Sequence, residues 1–550
     1  MNKLDSTKKH IPLILFIILI ITQTVLMCYI SAQKQEFHID EIYSYILSNS
    51  YDTDKLGNAD NLKNRWITPD DWDEFTTVQE GERFTYGNVY KINSTDAHPP
   101  LYYWILHSIC SLFPNSFSMW YGISINIFFF VLSAIVIYLI SKRLIKNAYL
   151  ALLPTAIWGF SPVAFNIVTF IRMYALLTFI TLLSFLIHIK LYQQGQNLKW
   201  VMILFAVTFL GAMTQYYFIV AEFCFAAAYC IYKIAKKEYK NLFIYGGTQL
   251  TAIILLFIAY PAAYTQITGS STNNIGNEVS ATFFNLDGWT ETVEKYITMM
   301  LNEWGKGLNG VLKITFIVTI LSVAALIVTY YIKKRRQQTA DKIKTSKRPK
   351  AFHIWVMFLI ELSIVAIISK MSNNFVYLRY IYHVIPLFVI TAVMLVEYIV
   401  DKTKLSLKTV ASVLLIISLI NAFGVVKTKN NDYLYIDTQE RYQSIENDYG
   451  DIPVVLANEN NNYVLTGNYT FLKNYSDVYV TPASELSNLT EILKDKDTSN
   501  GFLLMVWTDT YWANGYNADQ VISQVKSHNP DYKEIKSLGD MRFTKLYYCK

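Results

Sequence analysis

Charge is scarce in this sequence. Only 16% of its 550 residues are Asp, Glu, Lys or Arg, while 53% are hydrophobic. A soluble domain carries about 25% charged residues, so an ordinary soluble enzyme is excluded. Cysteine is scarce too. Cys28, Cys110, Cys224, Cys230 and Cys549 form no CxxC pair and several lie in apolar runs, so they read as free thiols without a disulfide framework. No Lys/Arg-rich block with interleaved aromatics points to nucleic acid. No glycine-rich phosphate loop appears in the C-terminal part. Neither an internal repeat nor a long low-complexity linker is found.

What is present is a succession of apolar runs, each about 18 residues or more and long enough to cross a ~30 Å hydrocarbon core. Eleven spans are expected, at 11–31, 118–140, 149–168, 172–191, 199–215, 217–233, 242–264, 310–332, 352–370, 379–400 and 406–426. The first follows MNKLDSTKKH. Its apolar region of about twenty residues exceeds the ~7–15 of a signal peptide and reads as an uncleaved anchor. Basic clusters occur at Lys8 and Lys9, at Lys142, Arg143 and Lys146, at Lys233, Lys236, Lys237 and Lys240, at Lys333–Lys350, and at Lys402, Lys404 and Lys408. An eleven-span topology puts all of them on one side, which is therefore cytoplasmic. Residues 32–117, 265–309, 371–378 and everything from about 427 onward then lie outside, with Lys427 and Lys429 a small exception to the bias. The expected class is a polytopic α-helical membrane protein of about eleven spans, with a multi-pass cell-membrane location and a cytoplasmic N-terminus.

The outer regions differ in character. Residues 32–117 are rich in Tyr, Trp, Asp and Asn and close with HPPLYYWILHSICSLFP. That piece predicts an interfacial helix with Tyr102, Tyr103 and Trp104 at headgroup level and Pro99 and Pro100 in its first turn. From 427 to 550 the pattern changes. PVVLA (453–457), DVYVT (477–481) and GFLLMVW (501–507) read as buried strands, with ASELSNLTEILKD and ADQVISQVKSH as helices between strands and MRFTKLYY as a final strand. Strand and helix in alternation predict a small extracytoplasmic α/β domain. The division is thus 1–426 for the membrane domain, with 32–117 as its first outer loop, and 427–550 for the tail.

Several residues carry chemistry. FHIDE, Phe37 to Glu41, places a histidine and two adjacent carboxylates just beyond the first span. On a helix, side chains of neighbours diverge by roughly 100°, so Asp40 and Glu41 cannot address one atom alike. One reading makes Asp40 a general base for an acceptor hydroxyl; the other is a polar helix start. In DAHPPLYY, Asp96 to Tyr103, His98 sits on a backbone stiffened by two prolines, which suits either a preorganised site or a helix cap. Arg172 in FIRMYALL and Arg379 in RYIYHVIP lie at the outer ends of the fourth and tenth spans. Each is a phosphate clamp or a snorkelling anchor. His38, Asp40, Asp96 and His98 offer ligands for a divalent metal, but no spacing enforces them and metal is not favoured. Glu222 and Glu361 lie inside spans, where an acid costs roughly 2.5–3.5 kcal/mol, so each needs a cavity or a partner.

The set DE after the first span, HPPLYY closing the first outer loop, RMYAL opening the fourth span and RY…P opening a late span resembles the GT-C glycosyltransferases. The similarity is to the protein mannosyltransferase and aminoarabinose transferase-like group, glycosyltransferase family 39, and covers roughly residues 1–400. This resemblance implies a GT-C-like membrane domain, a polyprenyl-phosphate-linked sugar donor, a protein or cell-envelope glycan or lipid acceptor on the outer face, and inverting transfer. It implies that the acid after the first span is the catalytic base, which falls on Asp40 with Glu41 beside it. It also implies that the late-span arginine, Arg379, contacts the lipid phosphate. Arg172, Tyr380 and His98 are placed with the donor phosphate, and His38, Asp96, Tyr102 and Tyr174 in support. Two positions depart from the pattern. Phe170 stands where relatives often carry an acid, and Gln215 stands where relatives often have His; both weigh against a metal site. A lipid-linked sugar transporter or flippase and an inactive envelope-binding scaffold are the other classes the span count suits. A transporter predicts matching halves with broken helices, and none are found.

Cysteine labelling or reporter fusions across 450–550 are expected to report an extracytoplasmic tail. Labelling only after permeabilisation would overturn this topology.

Overall fold

The computed structural model describes residues 3–50, 63–268, 287–307, 350–372, 376–403, 406–458, 462–508 and 515–550. Helix α1 (Lys3–Ser31) is the first span, α2 (Ile39–Asn49) carries the two carboxylates, and α3 (Leu101–Leu112) follows the double proline. Among the described residues seven helices are long and apolar enough to cross a membrane: His10–Ser31 within α1, Met119–Leu144, Tyr174–Gln194, Tyr217–Ala235, Tyr239–Ala259, Ala351–Met371 and Leu407–Thr428. An eighth is formed if Leu150–Gly159 and Pro162–Thr169, bent by 54°, count as one span. The bend falls where Pro162 opens a new helix behind the Ser161 cap.

The remaining expected spans differ for identifiable reasons. Leu198–Ala212 is apolar but has only 15 residues. Ile385–Thr403 is helical, yet Glu397, Asp401 and Lys402 crowd its last turns. The expected span 310–332 and most of the basic cluster Lys333–Lys350 lie outside the described residues.

Contacts between helix ends sort them into two groups. Glu397 Oε1 accepts from the backbone N–H of Lys146 and Asn147 at 3.0 and 3.1 Å. Arg143 Nη1 reaches Gln193 at 3.3 Å, and the Tyr192 hydroxyl lies 3.2 Å from His353 Nε2. These ends share one side of the bundle. At the other side α2 meets the 170–172 segment, and α3 meets the end of Leu198–Ala212 through Leu101 N–H to Met213 O at 3.2 Å. The acids inside spans have partners. Thr391 Oγ1 donates to Glu361 at 2.6 Å, and Glu222 accepts from Ser184 and, at 3.4 Å, from Thr208. They act as hydrogen-bonded links between helices.

Among the described residues the tail and the first outer loop form one sheet of six strands: β1 (Arg65–Ile67), β2 (Val454–Ala457), β3 (Val478–Thr481), β4 (Phe502–Trp507), β5 (Ile535–Met541) and β6 (Thr544–Cys549), in the order β1-β3-β2-β4-β6-β5. The β3, β2 and β4 strands are parallel, and β6 runs antiparallel to β4. The central strands β2 and β4 are apolar throughout because both of their faces are covered. Phe502, Leu504 and Val506 pack with Val521 and Val525 of the helix Ala518–His528, while Leu503 and Met505 join the core that continues into the membrane bundle.

Three expectations are corrected. ASELSNLTEILKD is a 3-10 turn at Ala483–Asn488 followed by the short helix Leu489–Ile492. The end of the chain is a hairpin of two strands, β5 and β6, rather than one. Tyr102 and Tyr103 are fully buried rather than at headgroup level, because α3 packs against α2; Trp104 is half-buried and donates Nε1–H to Tyr86 O at 3.1 Å. A further strand was not foreseen: β1 comes from the first outer loop and pairs antiparallel with β3. The sheet therefore draws on both ends of the chain.

Candidate active site

The site is built from a helix start, a break between two helices and a 3-10 turn. His38 is the N-cap of α2. Its Nδ1 accepts from Asp40 N–H at 3.0 Å, and Glu41 Oε2 accepts from His38 N–H at 2.5 Å, completing a capping box. Two carboxylates in the first turn also suit the positive end of the helix dipole. Being neighbours, they point apart. Glu41 turns inward and is fully buried. It accepts from Lys34 Nζ at 2.9 Å and, through Oε1, from Ile171 N–H at 2.8 Å. Asp40 keeps 26% of its side chain exposed and places Oδ2 3.1 Å from Arg379 Nη2.

Arg172 stands in the break between Pro162–Thr169 and Tyr174–Gln194. The break is pinned on several sides. Asn126 Nδ2 donates to Val168 O and Phe170 O at 3.1 and 2.7 Å, and Ser44 Oγ donates to Ile171 O at 2.9 Å. Arg172 Nη1 donates to the Tyr103 hydroxyl at 3.0 Å and to Ser44 Oγ at 3.4 Å. Its Nε is buried and has no hydrogen-bond partner among the described residues.

Arg379 lies in the 3-10 turn Leu378–Ile381. Its guanidinium sits 4.3 Å from the Tyr377 ring centre, 5.5 Å from Phe170 and 5.7 Å from Tyr380. Phe170 itself stacks on Tyr433 at 4.1 Å and on Tyr174 at 5.8 Å. An aromatic platform thus occupies the position where the family pattern puts an acid. Among the described residues no three His, Cys, Asp or Glu side chains are grouped to hold a metal ion. The carboxylates are instead engaged with Arg379, Lys34 and, for Asp96, His98 at 2.9 Å.

Ionisation follows from these partners. Burial acts to neutralise Asp40, but the charges of Arg379 and Arg172 outweigh it and hold the carboxyl well below its usual range. Burial pushes His38 down to about 3, so the ring is neutral, as its role as acceptor in the cap requires. Asp96 is likewise held low: burial opposes ionisation, and the hydrogen bond from His98 overcomes it.

The structure brings His38, Asp40, Glu41, Asp96, His98, Arg172, Tyr174, Arg379 and Tyr380 into one electrostatically linked region. Tyr102 is near but its buried hydroxyl has no partner among the described residues, and the hydroxyl that reaches Arg172 is that of Tyr103. Sequence reasoning also passed over Lys34, Ser44, Tyr433 and Tyr463. Lys34, seven residues before Glu41, was a readable signal, since a cation at a membrane exit beside a buried acid invites pairing. Tyr463 carried none. It comes from the tail helix Asn462–Gly467, is exposed, and sets its ring 5.9 Å from Tyr43 on α2. The tail is tied to FHIDE by Arg542 Nη1 to Phe37 O at 2.7 Å, by Lys34 Nζ to Tyr433 O at 2.5 Å, and by Thr470 to Glu36. An apolar cavity of about 240 Å³ lies between α3 and the neighbouring spans, lined by Leu101, Ile105, Phe129, Leu176, Ile180 and Val207 among others.

Comparison with known proteins agrees with this architecture. Residues 97–264 match the family described as dolichyl-phosphate-mannose-protein mannosyltransferase. That segment holds His98, Tyr102, Arg172 and Tyr174; Asp40 and Arg379 lie outside it. The structure is similar to ArnT from Cupriavidus metallidurans bound to undecaprenyl phosphate, with a TM-score of 0.50, 10% identity and 97% of each chain covered. It also matches the archaeal oligosaccharyltransferase AglB from Archaeoglobus fulgidus, in complex with an inhibitory peptide and a dolichol-phosphate, at a TM-score of 0.41 and 11% identity, covering 97% of this chain and 74% of that one. No curated protein sequence matches the chain. The comparisons thus show a segment similar to that mannosyltransferase family inside a chain that shares the fold of ArnT.

Removing the Glu41 charge is expected to damage the fold. Glu41→Gln leaves the buried Lys34 ammonium without its counter-charge, and breaking one side of a buried pair costs about 3–5 kcal/mol. Thermal unfolding of the purified protein should show a larger loss for Glu41→Gln, whose pair with Lys34 is fully buried, than for Asp40→Asn, whose side chain keeps 26% exposure.

Proposed function

We propose that the protein transfers a sugar from a polyprenyl-phosphate donor to a hydroxyl of an envelope acceptor on the outer face of the membrane, with inversion, and with Asp40 as the general base. The observation that carries this reading is the placement of Asp40 Oδ2 3.1 Å from Arg379 Nη2, with Arg172 close enough to act on the same carboxylate. A proton acceptor and two cations suited to a phosphate share one small region.

The donor's phosphate binds Arg379 and Arg172, with Tyr380 and His98 at its edge. Its isoprenoid chain runs into the apolar cavity beside Leu101, Ile105 and Leu176. The acceptor approaches beside α2 and the tail. Its hydroxyl oxygen bonds to the anomeric carbon as the bond from that carbon to the phosphate oxygen breaks. The hydroxyl proton passes to Asp40, and the lipid phosphate leaves with the electron pair. Phosphate leaves readily when guanidinium groups neutralise it, so positioning and fixed charge supply most of the catalysis. Glu41 holds the helix start and the Arg172 segment in register, while His38 and Asp96 orient their neighbours. The outward orientation rests on the one-sided basic loops.

Two measurements test the assignment. Loss of a general base typically lowers rate about 10²–10⁴-fold. Asp40→Asn should therefore nearly abolish transfer in purified protein; normal transfer would remove Asp40 from the chemistry. Arg379→Lys keeps a charge but loses the planar fork. Transfer should fall in Arg379→Lys and further in Arg379→Ala at unchanged protein abundance. Equal activity in all three would reduce Arg379 to an anchor. Mass spectrometry of lipid-linked sugars and envelope glycans in a deletion strain would identify the sugar and the acceptor.

A further inference from the structure

We propose that the donor phosphate and Asp40 compete for the same guanidinium, so that binding of the donor is the event that frees the base. The inference rests on the roles of Arg379 and Asp40 proposed above and adds a coupling between them.

Arg379 serves Asp40 through Nη2 at 3.1 Å. Its Nε is buried and has no hydrogen-bond partner among the described residues. A guanidinium binds an oxyanion best through two parallel N–H groups. Here only part of the fork is in use, and the Tyr377 and Phe170 rings, at 4.3 and 5.5 Å, flank the group. Arg172 repeats the pattern: Nη1 is committed to Tyr103 and Ser44, and the buried Nε is without a partner among the described residues. Asp96, the other nearby carboxylate, is already paired with His98 at 2.9 Å. Arg379 and Arg172 thus each keep an N–H without a partner among the described residues beside Asp40. A phosphate brings more charge and more acceptor oxygens to them than Asp40 does.

The two anions repel each other, so a phosphate seated on the Arg379 fork must weaken the hold on Asp40. A carboxylate gripped by arginine has little affinity for a proton. Released from Arg379, Asp40 gains proton affinity at the moment an acceptor hydroxyl needs deprotonation. The donor therefore binds first, and Asp40 held by Arg379 is a masked base. The same exchange has a cost. Part of the donor's binding free energy goes into displacing Asp40, so the wild-type protein holds the phosphate less tightly than its arginines allow.

The test uses the full-length protein in nanodiscs and undecaprenyl phosphate as the probe, with undecaprenol as the control that lacks phosphate. Asp40→Asn should bind undecaprenyl phosphate more tightly than wild type, by about 5–150-fold if the coupling is of ordinary size. Undecaprenol binding should not change. In an Arg379→Ala background the gain from Asp40→Asn should vanish. Asp40→Ala serves as a second variant should Asn disturb the cap. If Arg379→Ala weakens phosphate binding while neither Asp40 variant tightens it, the exchange is overturned and the phosphate site stands. If Arg379→Ala binds as wild type does, the phosphate reading itself fails.

Discussion

The Glu41 carboxylate is the point on which the outer half of the molecule depends. It is fully buried and receives hydrogen bonds from Lys34 Nζ, His38 N–H and Ile171 N–H. Those three donors belong to the exit from α1, the cap of α2 and the break before Tyr174–Gln194. A buried charge is tolerable only when paired and hydrogen-bonded, so one side chain forces three separate stretches of backbone into contact. Asp40 and Arg172 are both placed by this constraint, one on the adjacent residue of the helix and the other one residue beyond the clamped N–H. Neither needs a rigid loop of its own.

A second constraint is the balance of charge. Lys34 is paired with Glu41 and His38 is uncharged, so Asp40 and Asp96 answer the charges of Arg172 and Arg379. Removing water from such a cluster would be prohibitive if the charges were unpaired. Aromatic surfaces reduce the expense by covering the guanidinium faces, which are weakly hydrated and stack on rings. Phe170 is informative here. An acid at this position would neutralise the arginines permanently, whereas Phe170, stacked on Tyr433 and Tyr174, supports Arg379 without consuming its charge.

How much of this was readable in the sequence follows from the range of each interaction. The spans were legible because about twenty apolar residues in a row have few alternatives to crossing a membrane. The strands β2, β3 and β4 were legible because a strand covered on both faces is a short unbroken apolar run. The bend at Ser161–Pro162 sits inside an apolar stretch and left only a proline as a sign. The strand β1 was hidden: three residues, Arg65–Ile67, carry no pattern, and they become a strand only because β3 offers an open edge. At the site, FHIDE, HPPLYY, RMYAL and RY marked the right neighbourhoods. The sequence could not tell Tyr102 from Tyr103 as the partner of Arg172, because that depends on which face of α3 turns toward the break. Nor could it show that Asp40 meets Arg379, a contact between segments far apart in the chain.

The tail is bound into this arrangement rather than hung from it. β1 commits the first outer loop to the tail sheet, and Arg542, Thr470 and Tyr433 each bond to the stretch Lys34–Phe37 just before the α2 cap. Motion of the tail relative to the membrane bundle must therefore strain the backbone that positions Asp40. Tyr463 adds a consequence at the surface. Because it reaches the region from the tail and packs beside Tyr43, one turn along α2 from Asp40, the surroundings of Asp40 combine residues from two distant parts of the chain. Arg172 and Arg379 stand at breaks beside the membrane helices, while the tail lies against the stretch that leads into α2. On the function proposed above, a change of acceptor is accommodated in the tail while the helix cap, the buried Glu41 and the paired charges behind it remain as they are.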